Sequence, residues 1–127
     1  GTDAEIAIVE GAGGWRVPLH PEGFLSDLPE QLGLGVVLVV GLRLGCLNHA
    51  RLTLEAIERS GRCRFVGWIG CQVDPDFARL DVNLDTLARL LGQPALAVVP
   101  HLAEPDPGRT ALYLATPALS RALAAPA

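Results

Sequence analysis

The 127 residues of this chain are enough for one domain with a hydrophobic core, but few for a complete nucleotide-using enzyme. Its 10 basic and 14 acidic residues give a net charge of −4, which argues against nucleic-acid binding, because that needs a basic surface. The longest apolar run, residues 36–40, is far too short to cross a bilayer, and no signal peptide is visible. We therefore expect one domain over residues 1–127, in the cytoplasm, with neither nucleic acid nor membrane as a partner.

Two residue types are missing from the sequence. The chain has no methionine and begins with glycine, so we expect it to be processed, engineered or a piece of a longer protein. It also has no lysine, so it cannot supply a P-loop lysine or a Schiff-base amine.

The cysteine and histidine residues are scattered. The three cysteines have no C-x-x-C spacing and no paired histidines nearby, so we interpret them as reduced thiols rather than a zinc site or a disulfide framework. Each histidine stands alone, which is more typical of a structural or surface residue than of a metal ligand. These residues are Cys46, Cys63, Cys71, His20, His49 and His101.

The first predicted element is a strand at residues 5–10, an apolar run that leads through Glu10 into a glycine-rich turn. An apolar run of this length is typical of a strand buried on both faces. Sheets of that kind bind ligands just beyond the carboxyl ends of their strands, so the turn is a candidate phosphate-and-metal corner. A helix over about residues 21–32, ending near Gly33, is predicted next.

A strand at residues 36–41 follows, and then an amphipathic helix that has Leu47, Ala50, Leu54 and Ile57 on one face. Gly61 is a natural end for that helix.

The second half of the chain continues the alternation. A strand at residues 65–73 leads to Asp74 and Pro75, which predict a helix start, and Gly92 with Pro94 predicts its end. The apolar positions of this helix are Phe77, Leu80, Leu84, Leu87 and Leu91. A short strand at residues 95–99 and a loop-rich tail with one helix near residues 112–124 complete the chain. Alternating strands and helices predict an α/β fold with a parallel sheet.

Three motifs together resemble the dethiobiotin synthetase family. They are VEGAGGW at residues 9–15 with VPL at 17–19, VLVVG at 37–41 with RLGCLNHA at 43–50, and GWI at 67–69 with QVDP at 72–75. The likeness covers nearly the whole chain in the family's order and spacing. It implies a Rossmann-like, three-layer P-loop NTPase fold and a homodimeric ligase that depends on ATP and Mg²⁺. That ligase carboxylates 7,8-diaminononanoate with CO₂, phosphorylates the carbamate and closes the ureido ring of dethiobiotin.

The resemblance implies roles for the glycine-rich turn. Glu10 matches a glutamate that helps to hold magnesium, and its oxygens suit a hard cation. Gly11, Ala12 and Gly13 match the turn beside the nucleotide phosphates and the diamine, where glycine lets the backbone approach a ligand. The alternatives are a solvated carboxylate at Glu10 and a plain connection between a strand and a helix.

A second matched segment would bind substrate. Leu44, Gly45, Cys46, Leu47 and Asn48 match the residues that receive the distant carboxylate of the diamine across the dimer interface. The amides and the dipole at a helix N-terminus attract an anion, which supports this role independently of the family. We interpret Cys46 as a packing residue rather than a nucleophile, and Asn48 is also a candidate helix cap.

A third set of residues would contact the nucleotide. Pro100, His101 and Leu102 match a loop along the base, and Cys71 and Gln72 follow their strand. The family typically carries asparagine at the position of Cys71, and its side-chain amide forms hydrogen bonds with the edge of adenine. A thiol is a weak donor and a weak acceptor, so the nucleotide preference of this chain stays open. Glu104 and Asp106 are alternative candidates for the ribose.

The family also has a front part that this chain lacks: a strand, a P-loop ending in Gly-Lys-Thr, and a long segment with further metal and substrate residues. Only residues 1–3 resemble the P-loop opening. The fold is therefore expected to be incomplete at the amino terminus, no catalytic residue is assigned, and the chain alone is expected to be inactive.

In such folds the P-loop strand normally lies between the strand ending at Glu10 and the strand at residues 36–40. Without it, these two strands must pair directly, recruit another chain or leave backbone groups unsatisfied, at about 1–3 kcal/mol for each buried group. We therefore predict that the chain self-associates.

Two other functions remain open. One is a non-catalytic piece that keeps a dimer interface or a nucleotide-binding edge. The other is a dinucleotide-binding module, which ranks last because Gly11, Gly13 and Gly14 do not meet the G-x-G-x-x-G pattern.

Overall fold

The computed structural model describes residues 5–124, so the P-loop-like residues 1–3 lie outside the described part. Its elements are, in chain order, β1 (Pro18–His20), β2 (Gly23–Phe24), α1 (Asp27–Leu32), β3 (Gly35–Leu42), α2 (Cys46–Ser60), β4 (Arg64–Gln72), α3 (Leu80–Leu90), β5 (Ala97–Val99), α4 (Pro107–Leu114) and α5 (Pro117–Ala124).

The main sheet has three parallel strands in the order β3-β4-β5. The β3–β4 register runs from Gly35 opposite Arg64 to Leu42 opposite Gln72. The shorter β4–β5 register ends with Cys71 opposite Val99. The predicted parallel α/β architecture is confirmed, as are the strands predicted at residues 36–41, 65–73 and 95–99.

Helix α2 packs one apolar stripe against β3, β4 and α3. Four stripe residues at helical spacing are buried: Cys46, Ala50, Leu54 and Ile57. The helix ends before Gly61, which has the left-handed conformation (φ 63°) that was expected of its terminator. Trp68 and Leu42 on the sheet and Leu87 on α3 complete the core, each with none of its surface exposed.

The strand predicted at residues 5–10 is not formed. These residues have no strand conformation and are all exposed, with Ile8 at 80%. Within residues 5–124, β3 pairs only with β4, so residues 5–10 form no backbone ladder with the sheet. An isolated extended segment cannot satisfy its backbone groups by a ladder, and water hydrates them instead.

The helix predicted from residue 21 begins later. Backbone bonds from Leu25 N–H to Val17 C=O (2.8 Å) and from Ser26 N–H to Trp15 C=O (3.1 Å) fold residues 15–26 into a hairpin-like unit that contains β1 and β2. Helix α1 therefore starts only at Asp27, whose carboxylate accepts from Phe24 N–H (2.8 Å). Its end at Leu32, before a left-handed Gly33, agrees with the prediction.

The predicted helix start at Asp74 is also wrong. The Asp74 side chain accepts from Asp76 N–H (3.0 Å) and its carbonyl accepts from Phe77 N–H (3.3 Å), which closes a local turn. Arg79 then has a left-handed backbone (φ 56°), so helical geometry begins only at Leu80. The predicted end at Gly92 is close to the observed one.

The tail contains two helices instead of one. Helix α4 begins with Asp106, whose carboxylate accepts from Arg109 N–H (2.7 Å), and with proline at its first position. This is the same sequence signal that was assigned to Asp74 and Pro75, and here it does start a helix. Pro117 opens α5, because proline is tolerated in the first turn and not in the interior of a helix.

None of the helices in residues 5–124 has the length and apolar character that a membrane crossing needs.

Candidate functional site

The parallel sheet places three loops at one edge. Strands β3, β4 and β5 run in the same direction, so their carboxyl ends, at Leu42, Gln72 and Val99, share that edge. The segments that follow them contain residues 43–48, 73–75 and 100–102. This edge is where open α/β sheets bind ligands, and it carries most of the residues predicted for substrate and nucleotide.

The first part of this edge is the N-terminus of α2. The N-cap residue is Gly45, with φ 92°, a left-handed conformation that glycine adopts without a steric penalty. Leu44 is 93% exposed, whereas the Cys46 side chain is buried in the core. The interpretation of Cys46 as a packing residue therefore agrees with its environment, and only its backbone could reach a ligand.

One amide at this helix end is already engaged. Cys46 N–H donates to Arg43 C=O (3.0 Å), and the next internal bond is His49 N–H to Gly45 C=O (3.1 Å). Within residues 5–124, the N–H groups of Leu47 and Asn48 have no backbone acceptor, and glycine at the N-cap has no side chain to offer one. Two amides and the helix dipole are thus available to an anion.

A groove of about 410 Å³ joins the glycine-rich turn to α2. It is lined by Gly13, Gly14, Trp15, Arg16, Val17, Pro18, His49, Leu52, Thr53 and Ala56. Of the predicted site residues, only Gly13 contributes to it. The Trp15 indole N–H is buried and has no hydrogen-bond partner among the described residues. The sequence motifs did not indicate this groove, because it depends on how the turn folds over the middle of α2.

The rest of the glycine-rich turn faces protein or solvent. A Cβ atom at Gly11 would lie 2.6 Å from Leu25 Cδ2, so a larger residue there would make the Leu25 side chain shift. Glu10 is exposed and does not line the groove. No group of three His, Cys, Asp or Glu side chains within residues 5–124 is arranged to hold a metal ion. Glu10 therefore offers a single carboxylate, which is enough only for a cation whose other ligands come from phosphates and water.

The second part of the edge is the corner where β4 and β5 end. Cys71 pairs with Val99 in the ladder, and the Gln72 side chain then accepts from His101 N–H through Oε1 (3.4 Å). Burial raises the pKa of the Cys71 thiol, which keeps it neutral near pH 7. The structure therefore brings Cys71, Gln72, Pro100 and His101, which the sequence predicts to contact the nucleotide, to one corner.

The two ribose candidates differ in their surroundings. Asp106 caps α4 through the bond to Arg109 N–H, and it lines a second groove of about 410 Å³ beside Pro105, Pro107 and Leu114. Glu104 is exposed on the loop before it. An acidic side chain that caps a helix has less capacity for a further donor, so the geometry favours Glu104 for a ribose contact.

Comparison with known proteins connects this edge to a family. A family model described as an AAA domain matches residues 2–109. An ATP-dependent dethiobiotin synthetase of Aromatoleum aromaticum is 49% identical over 114 residues, which cover 90% of this chain and 50% of that protein. The synthetase of Pseudomonas paraeruginosa is 53% identical over 111 residues, which cover 87% of this chain and 48% of that protein. The synthetase of Ralstonia nicotianae is 53% identical over 105 residues, which cover 83% of this chain and 45% of that protein. The chain thus spans about half the length of the curated relatives it matches.

Proposed function

We propose, from the premise that this chain belongs to the AAA-domain family, that it forms about half of an ATP-dependent dethiobiotin synthetase, a ligase of biotin biosynthesis. The proposed reaction converts 7,8-diaminononanoate, CO₂ and ATP into dethiobiotin, ADP and phosphate through a phosphorylated carbamate. The observation that carries the proposal is the shared carboxyl edge of β3, β4 and β5, which holds residues 44–48, predicted for substrate, and residues 100–102, predicted for nucleotide.

The substrate's carboxylate is assigned to the N-terminus of α2. The available N–H groups of Leu47 and Asn48 can donate to an anion, and the helix dipole adds favourable potential at that end. The exposed Leu44 next to them can cover part of an alkyl chain. In a homodimer this helix end would serve the diamine held by the glycine-rich turn of the partner subunit.

ATP is assigned to the corner of β4 and β5 and to the glycine-rich turn. The loop at Pro100, His101 and Leu102 would lie along the base, with Cys71 and Gln72 at its edge. Mg²⁺ would neutralise charge on the phosphates, and Glu10 would supply one carboxylate to it. We place the reaction in the cytoplasm, where the free thiols of Cys46, Cys63 and Cys71 would stay reduced.

The chain alone offers little stabilisation for the transferred phosphoryl group. It contains no lysine, and none of the residues predicted to bind substrate or nucleotide is an arginine. Phosphoryl transfer depends on positioned cations and amides, so we expect activity only when the remaining half of the enzyme is supplied. The alternative is a non-catalytic remnant that keeps a dimer interface or a nucleotide-binding edge.

A complementation assay separates these two functions. This chain is assayed for ATP-dependent conversion of the diamine, alone and with the part of the Aromatoleum aromaticum relative that it does not match. Activity only in the mixture supports the ligase half. No activity in a mixture that forms a stable complex would favour the remnant, and full activity of the chain alone would refute the need for the other half.

The role of Glu10 is tested in the same mixture. We expect Glu10→Gln to raise the Mg²⁺ concentration needed for half-maximal rate, because a neutral amide is a poorer ligand for a hard cation. Glu5→Gln, at another exposed glutamate of the same segment, is the matched control. An unchanged magnesium dependence in Glu10→Gln would remove the metal role.

A further inference from the structure

The side-chain amide of Gln72 connects the two loops at the corner of β4 and β5. Its Nε2 donates to Asp74 C=O (3.3 Å) and to Pro75 C=O (3.4 Å), both in the loop after β4. Its Oε1 accepts from His101 N–H (3.4 Å), in the loop after β5. One side chain thus contacts the backbone of both loops.

These partners determine how the amide is oriented. Two carbonyls require the nitrogen on one side, and an N–H requires the oxygen on the other. The reverse orientation would place oxygen against two carbonyls and nitrogen against a donor. Both N–H bonds of the amide and one acceptor position are therefore used within the protein, and little capacity is left for a ligand.

The position of Gln72 explains why a side chain is needed there. The paired residues of β4 and β5 end at Cys71 and Val99, and the next residue of the β5 segment is Pro100. Proline has no N–H to donate to a ladder, so the regular hydrogen bonds stop. The next donor, His101 N–H, is bound by the Gln72 side chain instead, which continues the connection one residue beyond the sheet.

We propose that Gln72 is a positioning residue of the nucleotide site: it sets the spacing between the loops at residues 73–75 and 100–102 without contacting the nucleotide itself. This inference rests on the proposed function, because it takes the loop at residues 100–102 to lie along the base. It replaces the direct contact of Gln72 with the edge of the base, which the sequence predicts and the proposed function includes, with an indirect role. Cys71 is then the β4 side chain that is left to contact the edge of the base. Its neutral thiol forms only weak hydrogen bonds with that edge.

The test is a nucleotide titration of this chain, followed by the amide signals in ¹⁵N NMR spectra at millimolar ATP, CTP and tripolyphosphate. In Gln72→Leu we expect ATP and CTP to bind about three- to tenfold more weakly, which corresponds to losing one or two hydrogen bonds. Tripolyphosphate, which has no base or ribose, should bind the variant and the wild type equally. Hydrogen exchange of His101 N–H should become faster in the variant without nucleotide, which reports the loop contact directly.

Gln93→Leu is the matched control. Gln93 also donates its amide to a backbone carbonyl, Val66 C=O (3.5 Å), but near the opposite end of β4. We expect this variant to keep wild-type affinities and wild-type exchange at His101.

The outcomes distinguish the two proposals. If wild-type chain binds ATP and CTP, and Gln72→Leu leaves both affinities unchanged, the positioning role is refuted while the nucleotide site stands. If the substitution weakens the binding of tripolyphosphate as much as the binding of ATP, the effect is a general loss of structure, and the positioning role is refuted as well. If wild-type chain shifts no signal at the corner with any nucleotide, the nucleotide site itself is refuted, and the inference fails with it.

Discussion

At the scale of single residues, burial separates side chains that the sequence cannot tell apart. Leu87 on α3 and Leu112 on α4 are both helical leucines, but Leu87 has no exposed surface and Leu112 is 76% exposed. Leu87 belongs to the core with Trp68 and Leu42. The energetic role of a leucine in this chain therefore depends on its neighbours and not on its residue type.

We expect Leu87→Ala to lower the free energy of unfolding by about 2–5 kcal/mol, because it removes buried methyl groups and leaves a cavity. Leu112→Ala makes the same change of helix propensity, and it should change the free energy of unfolding by less than about 0.5 kcal/mol. Urea unfolding followed by circular dichroism measures both variants. Equal effects of the two substitutions would contradict the described core.

The Cys71 thiol gives a prediction about pH. Burial raises its pKa, so less thiolate is present at any pH near neutrality than in the unfolded chain. We expect the midpoint of its alkylation by iodoacetamide, followed by mass spectrometry of the Cys71 peptide, to lie at higher pH in the native chain than in urea. For the same reason the native state binds this proton more tightly, so stability should fall as pH rises above the pKa of the unfolded thiol. A native midpoint at or below the one in urea would refute the burial of this group.

At the scale of elements, the connection between α4 and α5 depends on one hydroxyl group. Thr116 Oγ1 donates to Leu96 C=O (2.6 Å), next to β5, and accepts from Leu119 N–H (3.1 Å) in the first turn of α5. The same side chain thus caps α5 and fixes it to the end of the sheet. This explains why the tail forms two helices where the sequence predicted one.

We expect Thr116→Val to lower the free energy of unfolding by about 1–3 kcal/mol, since it removes a helix cap and leaves a buried carbonyl without its donor. Thr86→Val is the control: that hydroxyl bonds Val82 C=O within α3 on an exposed surface, and its loss should have a small effect. Thermal unfolding of both variants measures the difference. If Thr86→Val is the more damaging substitution, the proposed role of Thr116 is wrong.

At the scale of the whole molecule, β3 has an unpaired edge among the described residues. Its sequence is a continuous apolar run typical of a strand in the interior of a parallel sheet, yet Val39 is 60% exposed. An edge of this kind can pair with another strand, which favours association. The exposed Ile6, Ile8 and Val9 add further apolar surface.

We therefore expect the chain to self-associate at micromolar concentration, measured by small-angle scattering. Val39→Lys should reduce the association, because a charge on an edge strand opposes the addition of another strand. Val82→Lys, on the surface of α3, should not reduce it. A monomeric wild-type chain would contradict the prediction, and equal association in Val39→Lys would show that β3 is not the contact.

The sequence by itself determined the local pattern of this protein. The stripe at Ala50, Leu54 and Ile57 predicted α2, and the apolar runs predicted β3 and β4, because side-chain periodicity follows directly from helix and strand geometry. Glycine at positions 33 and 61 marked two helix ends. The family motifs also predicted site roles for residues 44–48 and 100–102, which follow β3 and β5 at the carboxyl edge of the sheet.

Only the tertiary structure decided whether each local preference was realised. Residues 5–10 have strand propensity but no neighbour to pair with, and Asp74 and Pro75 close a turn although they fit a helix start as well as Asp106 and Pro107 do. The same holds for Gln72, whose amide is bound by two loops that lie far apart in the chain. Hydrogen bonds and burial between distant residues fix these outcomes, and a linear pattern contains no distances between such residues.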